Sequence, residues 1–341
     1  MHGKQFVIRA AAALSLAALL AGCAKLGGPE LINVSYDPTR EFYEEYNALF
    51  NDYWYETHGK HVEIIQSHGG SGSQALAVSQ GLPADVVTLA LEADVQAIAD
   101  EGLIQDGWID EFPNDSAPYT STIVFLVHAG NPMHIFDWDD LIRPEVGVIT
   151  PNPKTSGGAR WNFLAAWAYA DRAYGGDTRR IEAFIEALYQ NVLVLDSGAR
   201  GATTSFVENG QGDVLLAWEN EAYLAMEEYP GEYEIVTPSV SILCQPSVAV
   251  VDEVTRVNGT RKLATAYLNY LYSDEAQRLA AEYYYRPVNE EILQEYSDRF
   301  DLSVHLATID DFGGWAAAQQ TYFSEGGVFD SIYENMEPQE D

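Results

Sequence analysis

Three short loops rich in glycine and serine are the places where this chain could bind an anion. They are residues 67–72, 154–160 and 197–201, and each lies just ahead of a predicted helix. Glycine lets backbone N–H groups approach a ligand closely, and a helix N-terminus offers unpaired N–H donors and a positive dipole end. Any one of these loops could equally be an ordinary tight turn, for which Gly and Ser are the usual residues. Three of them at equivalent positions favour a site for a compact dianion.

The segments around these loops alternate between short apolar runs and amphipathic stretches, as strands and helices do. The first helix is expected to start with Asp37 as N-cap and Pro38 as its first residue, and to end at Gly59. Strand–loop–helix units predict an α/β fold with mostly parallel sheets, in which ligands bind beyond the carboxyl ends of strands. The predicted strands are residues 31–36, 61–66, 84–89, 146–150, 192–195 and 213–217.

Length and charge exclude several classes of protein. A chain of 341 residues exceeds what one compact core usually holds, so two domains are expected. The formal net charge of −34 comes from 52 acidic and 18 basic residues. Nucleic-acid binding and attachment to anionic lipids both require basic surfaces, so this balance excludes both. The acidity itself indicates a strongly solvated surface.

The N-terminus has the pattern of a secretory signal. Lys4 and Arg9 precede an apolar run, residues 10–20, and the sequence Leu-Ala-Gly-Cys ends at Cys23. This ending looks like the lipobox of bacterial lipoproteins, which predicts a signal peptide over residues 1–22, lipidation of Cys23 and a tether over residues 23–30. An ordinary signal peptide with an incidental cysteine is the alternative. With Cys23 acylated, Cys244 would have no disulfide partner and is expected to be buried as a small apolar residue.

Seven longer stretches carry a resemblance to a known family. They are residues 33–40, 66–72, 118–127, 148–162, 195–201, 212–221 and 312–316. In these motifs the chain resembles the periplasmic sulfate-binding proteins of sulfate/thiosulfate ABC importers. The resemblance implies a two-lobed periplasmic binding protein type II fold with the ligand cleft between the lobes. Lobe 1 would comprise residues 31–120 plus 246–341, and lobe 2 residues 121–245. It also implies a monomer that works outside the cytoplasm, touches the membrane only through its lipid anchor, and serves a permease and an ATPase.

The resemblance also implies which residues bind the dianion. The donors carried over are the N–H of Ser71, the Ser156 hydroxyl, the N–H groups of Gly157 and Gly158, the Ala199 N–H and the Trp218 indole N–H. Asp37, Arg160 and Arg200 would position the loops without touching the ligand. No cofactor and no metal are implied. A site made only of donors is expected to accept fully ionised sulfate and to reject hydrogen phosphate, whose proton needs an acceptor.

The sequence is also compatible with other ligands and with other classes of protein. Thiosulfate, molybdate, tungstate or phosphate could be the ligand, and thiosulfate is the hardest to separate from sulfate. A hydrolase would need Ser71, His68 and Asp85 as a triad, but no Gly-x-Ser-x-Gly elbow is present. A scaffold or adhesin could use the 21 tyrosines, although it would not need three glycine-rich loops. His58 and His61 are the one pair of histidines close in sequence, but they flank a glycine-containing turn and are expected at the surface.

Overall fold

A computed structural model describes residues 28–336 of the chain. Two separate sheets form its framework, and two further pairs of short strands lie outside them. The strands are β1 Glu30–Tyr36, β2 Glu63–Gly69, β3 Val86–Leu89, β4 Tyr119–Thr120, β5 Ile123–His128, β6 Val148–Pro151, β7 Val192–Asp196, β8 Val214–Trp218, β9 Tyr233–Val236, β10 Val240–Ile242, β11 Ser247–Val250, β12 Arg286–Pro287 and β13 His305–Ala307.

Helices cover both sheets, as expected for strands that are buried on both faces. They are α1 Arg40–His58, α2 Ser71–Ser79, α3 Glu92–Asp100, α4 Gly157–Tyr174, α5 Thr178–Gln190, α6 Ala199–Thr203, α7 Glu219–Glu228, α8 Asp252–Asn258, α9 Arg261–Tyr270, α10 Asp274–Glu282, α11 Glu290–Glu295, α12 Trp315–Ala318 and α13 Val328–Met336. Short helical turns at Asp37–Thr39 and Thr204–Glu208 precede α1 and extend α6. Within residues 28–336, no helix combines the length and apolar character needed to cross a membrane.

The two sheets have related designs. The first has the order β11-β3-β1-β2, with β1 parallel to β2 and β3 and only β11 antiparallel. The second has the order β7-β6-β8-β5-β9, with β6 parallel to β7 and β8 and with β5 antiparallel to both its neighbours. Strands β3 and β8 are buried along their whole length, which explains why all their residues except Thr88 are apolar. The predicted α/β class is confirmed.

The chain passes between the sheets near residues 121 and 244, at adjacent positions, and a third time ahead of β13. Ser121 and Cys244 lie side by side at the first two crossings, and each donates its backbone N–H to the other's carbonyl oxygen, at 3.0 and 2.9 Å. Cys244 is fully buried, as predicted.

The C-terminal residues lie against the second sheet. Strand β13 pairs with β10, and Phe329 of α13 packs on Tyr189 of α5 with ring centroids 5.4 Å apart. The resemblance assigns these residues to lobe 1, whereas Phe329 packs on a helix of the second sheet and the segment Trp315–Ala318 also contacts α3 of the first. These contacts do not define where one lobe ends and the other begins, so the lobe boundaries stay a prediction.

Several predicted helix starts are wrong by a few residues. Asp37 is not the N-cap of α1: it begins a 3₁₀ turn after Tyr36, and α1 itself starts at Arg40. Helices α2 and α6 begin at Ser71 and Ala199, inside the predicted loops, because glycine- and serine-rich sequences have low helix propensity yet form good first turns. Gly59 ends α1 with a left-handed φ of 68°, as predicted.

Candidate functional site

A narrow cleft lies where the carboxyl ends of both sheets face each other. One wall comes from the residues after β1 and β2, and the other from the N-termini of α4 and α6. The lining residues are Tyr36, Asp37, Pro38, Gly69, Gly70 and Ser71 on the first side, and Ser156, Gly158 and Ala199 on the second. Five of the nine residues predicted for the site, Asp37, Ser71, Ser156, Gly158 and Ala199, thus share one cleft.

On the first wall, Ser71 is the first residue of α2 and is almost fully buried. Its hydroxyl donates to Asp94 Oδ2 at 2.5 Å and accepts the Ala90 N–H at 3.0 Å. The side chain is therefore committed to the first lobe's own structure. Its backbone N–H lies in the first turn of α2, where no intrahelical acceptor exists, and this is the donor that the resemblance implies.

On the second wall, Ser156 is the N-cap of α4, and its Oγ accepts the Ala159 N–H at 3.3 Å. Its hydroxyl proton remains available to a ligand, since the cap uses only a lone pair. A Cβ on Gly157 would lie 2.8 Å from the Ala90 Cβ and 3.0 Å from the Ser71 Cβ, so only glycine fits. The α4 N-terminus can thus approach the first wall with its N–H groups exposed to the cleft.

Trp218 ends β8, and its side chain is buried beside the cleft. Its ring lies 5.3 Å from the Tyr36 ring, and a Cβ on Gly158 would be 3.0 Å from its indole Nε1. Among the described residues this N–H has no hydrogen-bond acceptor. A buried unpaired donor costs about 1–3 kcal/mol, so a ligand oxygen that accepted from this indole would remove that cost.

The charged residues predicted to position the loops bridge the two walls. Arg160, at the start of α4, donates to Asp94 Oδ1 at 2.8 Å and to the Pro153 carbonyl at 2.9 Å. Arg200, in α6, donates to both carboxylate oxygens of Glu41 at 2.6 and 2.8 Å. Both pairs link opposite walls, and in both the guanidinium charge is matched by a carboxylate of the first wall.

Asp37 lies against the 197–201 loop. Its Oδ2 occupies the space that a Cβ on Gly198 would need. Burial raises the pKa of Asp37, while the neighbouring cations Arg40 and Arg200 oppose this shift.

Several residues at this interface escaped the sequence analysis. Asp94 holds both Ser71 and Arg160, and the Trp161 indole donates to the Ala90 carbonyl at 2.9 Å across the walls. The available signal for Asp94 was its position in the first turn after β3, at the same sheet edge as the Ser71 loop. Its partner Arg160 lies 66 residues away in sequence, so no local pattern connects them.

The hydrolase triad is not assembled. Ser71 bonds to Asp94 and not to His68. Asp85 lies at the other end of β3 and accepts hydrogen bonds from the Ile32 N–H and the Thr260 hydroxyl. His58 and His61 are exposed, as predicted, and residues 28–336 contain no group of three or more potential metal-ligating side chains. The predicted signal peptide and Cys23 lie outside the described residues.

Comparisons with known proteins show which family this chain resembles. The family model for bacterial extracellular solute-binding proteins matches residues 34–286. A sulfate-binding protein from Escherichia coli strain K12 is 58% identical over 89% of this chain and 92% of its own length. A thiosulfate-binding protein from Pseudomonas aeruginosa is 47% identical over 94% of this chain and 97% of its own.

A solved structure carries the same fold. The sulfate-binding protein SubI from Mycobacterium tuberculosis H37Rv superimposes with a TM-score of 0.79 at 33% identity, over 86% of this chain and 98% of that one. The predicted two-lobed periplasmic binding protein fold is thereby confirmed. With family model, relatives and fold in agreement, the chain belongs to the bacterial extracellular solute-binding proteins, in the branch that contains the sulfate- and thiosulfate-binding proteins.

Proposed function

We propose that this protein captures sulfate outside the cytoplasm and delivers it to an ABC importer. The observation that carries the proposal is the buried Trp218 indole N–H beside the N-terminus of α4, for which residues 28–336 provide no acceptor. The named functions of the similar proteins support it, because they are binding proteins and not enzymes.

The proposed ligand contacts are all hydrogen-bond donors. The dianion would accept from the N–H groups of Ser71, Gly157, Gly158 and Ala199, from the Ser156 hydroxyl and from the Trp218 indole. Hydrogen bonds to a charged acceptor in a buried site are about twice as strong as neutral ones. Arg160 and Arg200 are already paired with carboxylates, so the negative charge would be held by oriented dipoles rather than by a free cation.

Selectivity should follow from the shortage of acceptors at the proposed contacts. Sulfate has no proton at neutral pH and accepts from every donor. Hydrogen phosphate carries a proton that needs an acceptor. A ligand that leaves a buried polar group unpaired is rejected by about 10⁴-fold or more. Thiosulfate has the same charge as sulfate and remains the second candidate ligand, since a relative at 47% identity is named for it.

The test is calorimetric titration of the chain from Ala24 onward, freed of ligand, with sulfate, thiosulfate, phosphate and molybdate. Tight one-to-one binding of sulfate with no response to phosphate is expected. Trp218→Phe should weaken sulfate binding by about 10- to 100-fold, because one charge-assisted hydrogen bond is lost. Trp108→Phe is the matched control: its indole donates to Gln96, neither residue lines the cleft, and sulfate binding should not change. A folded protein that binds none of the four anions would refute the proposal.

Membrane attachment through Cys23 is a separate proposal with its own test. Cells fed an alkyne-tagged fatty acid should label the wild-type protein and should not label Cys23→Ser. Equal labelling of both, or of neither, would indicate an ordinary secretory signal. The proposed lipid would hold the protein at a membrane surface without embedding its fold.

A further inference from the structure

The C-terminal segment from Trp315 to Met336, here called the C-terminal brace, packs on the start of α4. Trp315 contacts Trp161 edge-on with ring centroids 4.6 Å apart, and Phe323 contacts Phe163 at 5.4 Å. Trp161 and Phe163 are within seven residues of Ser156, which begins the second wall of the cleft. The brace therefore covers the part of α4 that presents Ser156, Gly157 and Gly158.

Lys154 connects the ligand loop to this brace. Its Nζ lies 2.5 Å from Asp330 Oδ1 in α13 and donates to the carbonyl oxygens of Phe323 at 3.0 Å and Ser324 at 3.4 Å. Its backbone N–H is fixed by the Asn152 side chain at 2.9 Å. One ammonium thus bonds to three acceptors on the brace, only two residues before Ser156.

The brace also contacts both α4 residues that reach across to the first wall. Arg160, which pairs with Asp94, has its guanidinium carbon 5.9 Å from the centre of the Phe323 ring. Trp161, which donates to the Ala90 carbonyl, is the residue packed on Trp315. Movement of the brace would therefore disturb the loop and its cross-cleft contacts together.

We propose that Lys154 is a positioning residue for the oxyanion: through Asp330 it ties the 152–156 loop to the C-terminal brace and keeps the α4 N-terminus in its binding geometry. The inference rests on the proposed function. Preorganised donors bind more tightly than mobile ones, because less conformational freedom is lost when the ligand arrives. Lys154 itself would not touch the ligand, since its ammonium points away to α13.

A simple electrostatic role for Lys154 makes the opposite prediction for one variant. Lys154→Met removes a positive charge and breaks the tie, so both explanations predict weaker anion binding. Asp330→Asn also breaks the ion pair, but it removes a negative charge. Coulomb attraction alone would then make sulfate bind more tightly, whereas loss of the tie makes it bind more weakly.

The experiment is sulfate titration of the wild type and of the variants Asp330→Asn, Lys154→Met and Lys154→Arg. Lys262→Met is the matched control, because it removes the same charge from an exposed side chain of α9. We expect Asp330→Asn and Lys154→Met to weaken binding about fivefold, the effect of losing a partly exposed ion pair. Lys154→Arg and Lys262→Met should stay within about twofold of wild type. Faster hydrogen exchange at residues 154–158 in Asp330→Asn should accompany the loss of affinity.

Wild-type affinity in Asp330→Asn, or tighter binding, would overturn the inference. A variant that misfolds is identified by its melting temperature, and the remaining member of the Lys154–Asp330 pair then decides the question. If the wild type itself binds no sulfate, the proposed function fails. If the wild type binds and Asp330→Asn binds equally well, only the role of Lys154 fails.

Discussion

His68 shows how one buried ring at the cleft should make stability depend on pH. Burial lowers the pKa of His68 from 6.5 to about 4, and the nearby cations Arg40 and Arg200 act in the same direction. Between these two pH values the unfolded chain binds a proton that the folded protein does not. The unfolded state is therefore favoured as the pH falls from 6.5 towards 4.

Replacing His68 by Gln should remove this contribution. Urea unfolding at pH 7 and pH 5 should show a smaller loss of stability in His68→Gln than in the wild type. Burial raises the pKa of Glu221, so this carboxylate acts in the opposite sense in both proteins and cancels in the comparison. An equal loss in wild type and His68→Gln would contradict the assignment.

At the scale of the elements, Gly70 sets how closely the two walls approach. A Cβ at Gly70 would lie 2.7 Å from the carbonyl oxygens of both Thr155 and Ser197, which belong to the opposite wall. Gly70→Ala should therefore hold the lobes apart and weaken sulfate binding by about 5- to 150-fold, because about 1 to 3 kcal/mol of overpacking falls on the closed state. Gly69→Ala is the control, since a Cβ there meets only the Gln74 side chain at 3.5 Å.

Titration and small-angle scattering should be combined for these two variants. Gly69→Ala should bind sulfate and become more compact, as the wild type should. Gly70→Ala should show little change in radius on addition of sulfate, with a nearly unchanged melting temperature in its absence. Wild-type affinity in Gly70→Ala would mean that the backbone yields at little cost.

A buried ion pair joins β12 to α7 near the crossings. Arg286 donates from Nε and Nη2 to both oxygens of Glu219, at 2.7 and 2.9 Å, and both residues are buried. Burial raises the pKa of Glu219, an effect that the guanidinium opposes. Arg286→Met would leave this carboxylate buried without a partner, which costs about 3–5 kcal/mol.

The unfolding free energy in urea should therefore fall strongly in Arg286→Met. The double variant Arg286→Met with Glu219→Gln should recover part of the loss, because the remaining group carries no charge. A double variant as unstable as the single one would show that the arginine acts through packing on Phe300, which lies 5.7 Å below its guanidinium.

At the scale of the whole molecule, the features that could be predicted from the sequence are those that depend on a local pattern of residues. The apolar strands and the glycine-rich turns are local signals, so the α/β class and the loops around Ser71, Ser156 and Ala199 were accessible. The pairs Asp94–Arg160 and Glu41–Arg200 were not, because they depend on how two separately folded sheets meet. The position of the C-terminal brace also depends on long-range packing, of Phe329 on Tyr189 and of Phe323 on Phe163.

The excess of acidic residues should make stability rise with salt. The net charge of −34 repels itself in the compact state, and about 0.1 M salt screens charges that lie more than about 10 Å apart. Screening also weakens partly exposed ion pairs such as Arg200–Glu41, but buried pairs such as Arg160–Asp94 are screened much less. Repulsion should dominate, because exposed pairs contribute about 0–1 kcal/mol each and the acidic residues outnumber the basic ones by 34. Thermal unfolding without sulfate should shift upward between 0.02 and about 0.3 M sodium chloride. Choline chloride should raise the unfolding temperature as sodium chloride does, because ionic strength is the cause. A lower unfolding temperature at high salt would mean that the ion pairs bridging the two walls control stability.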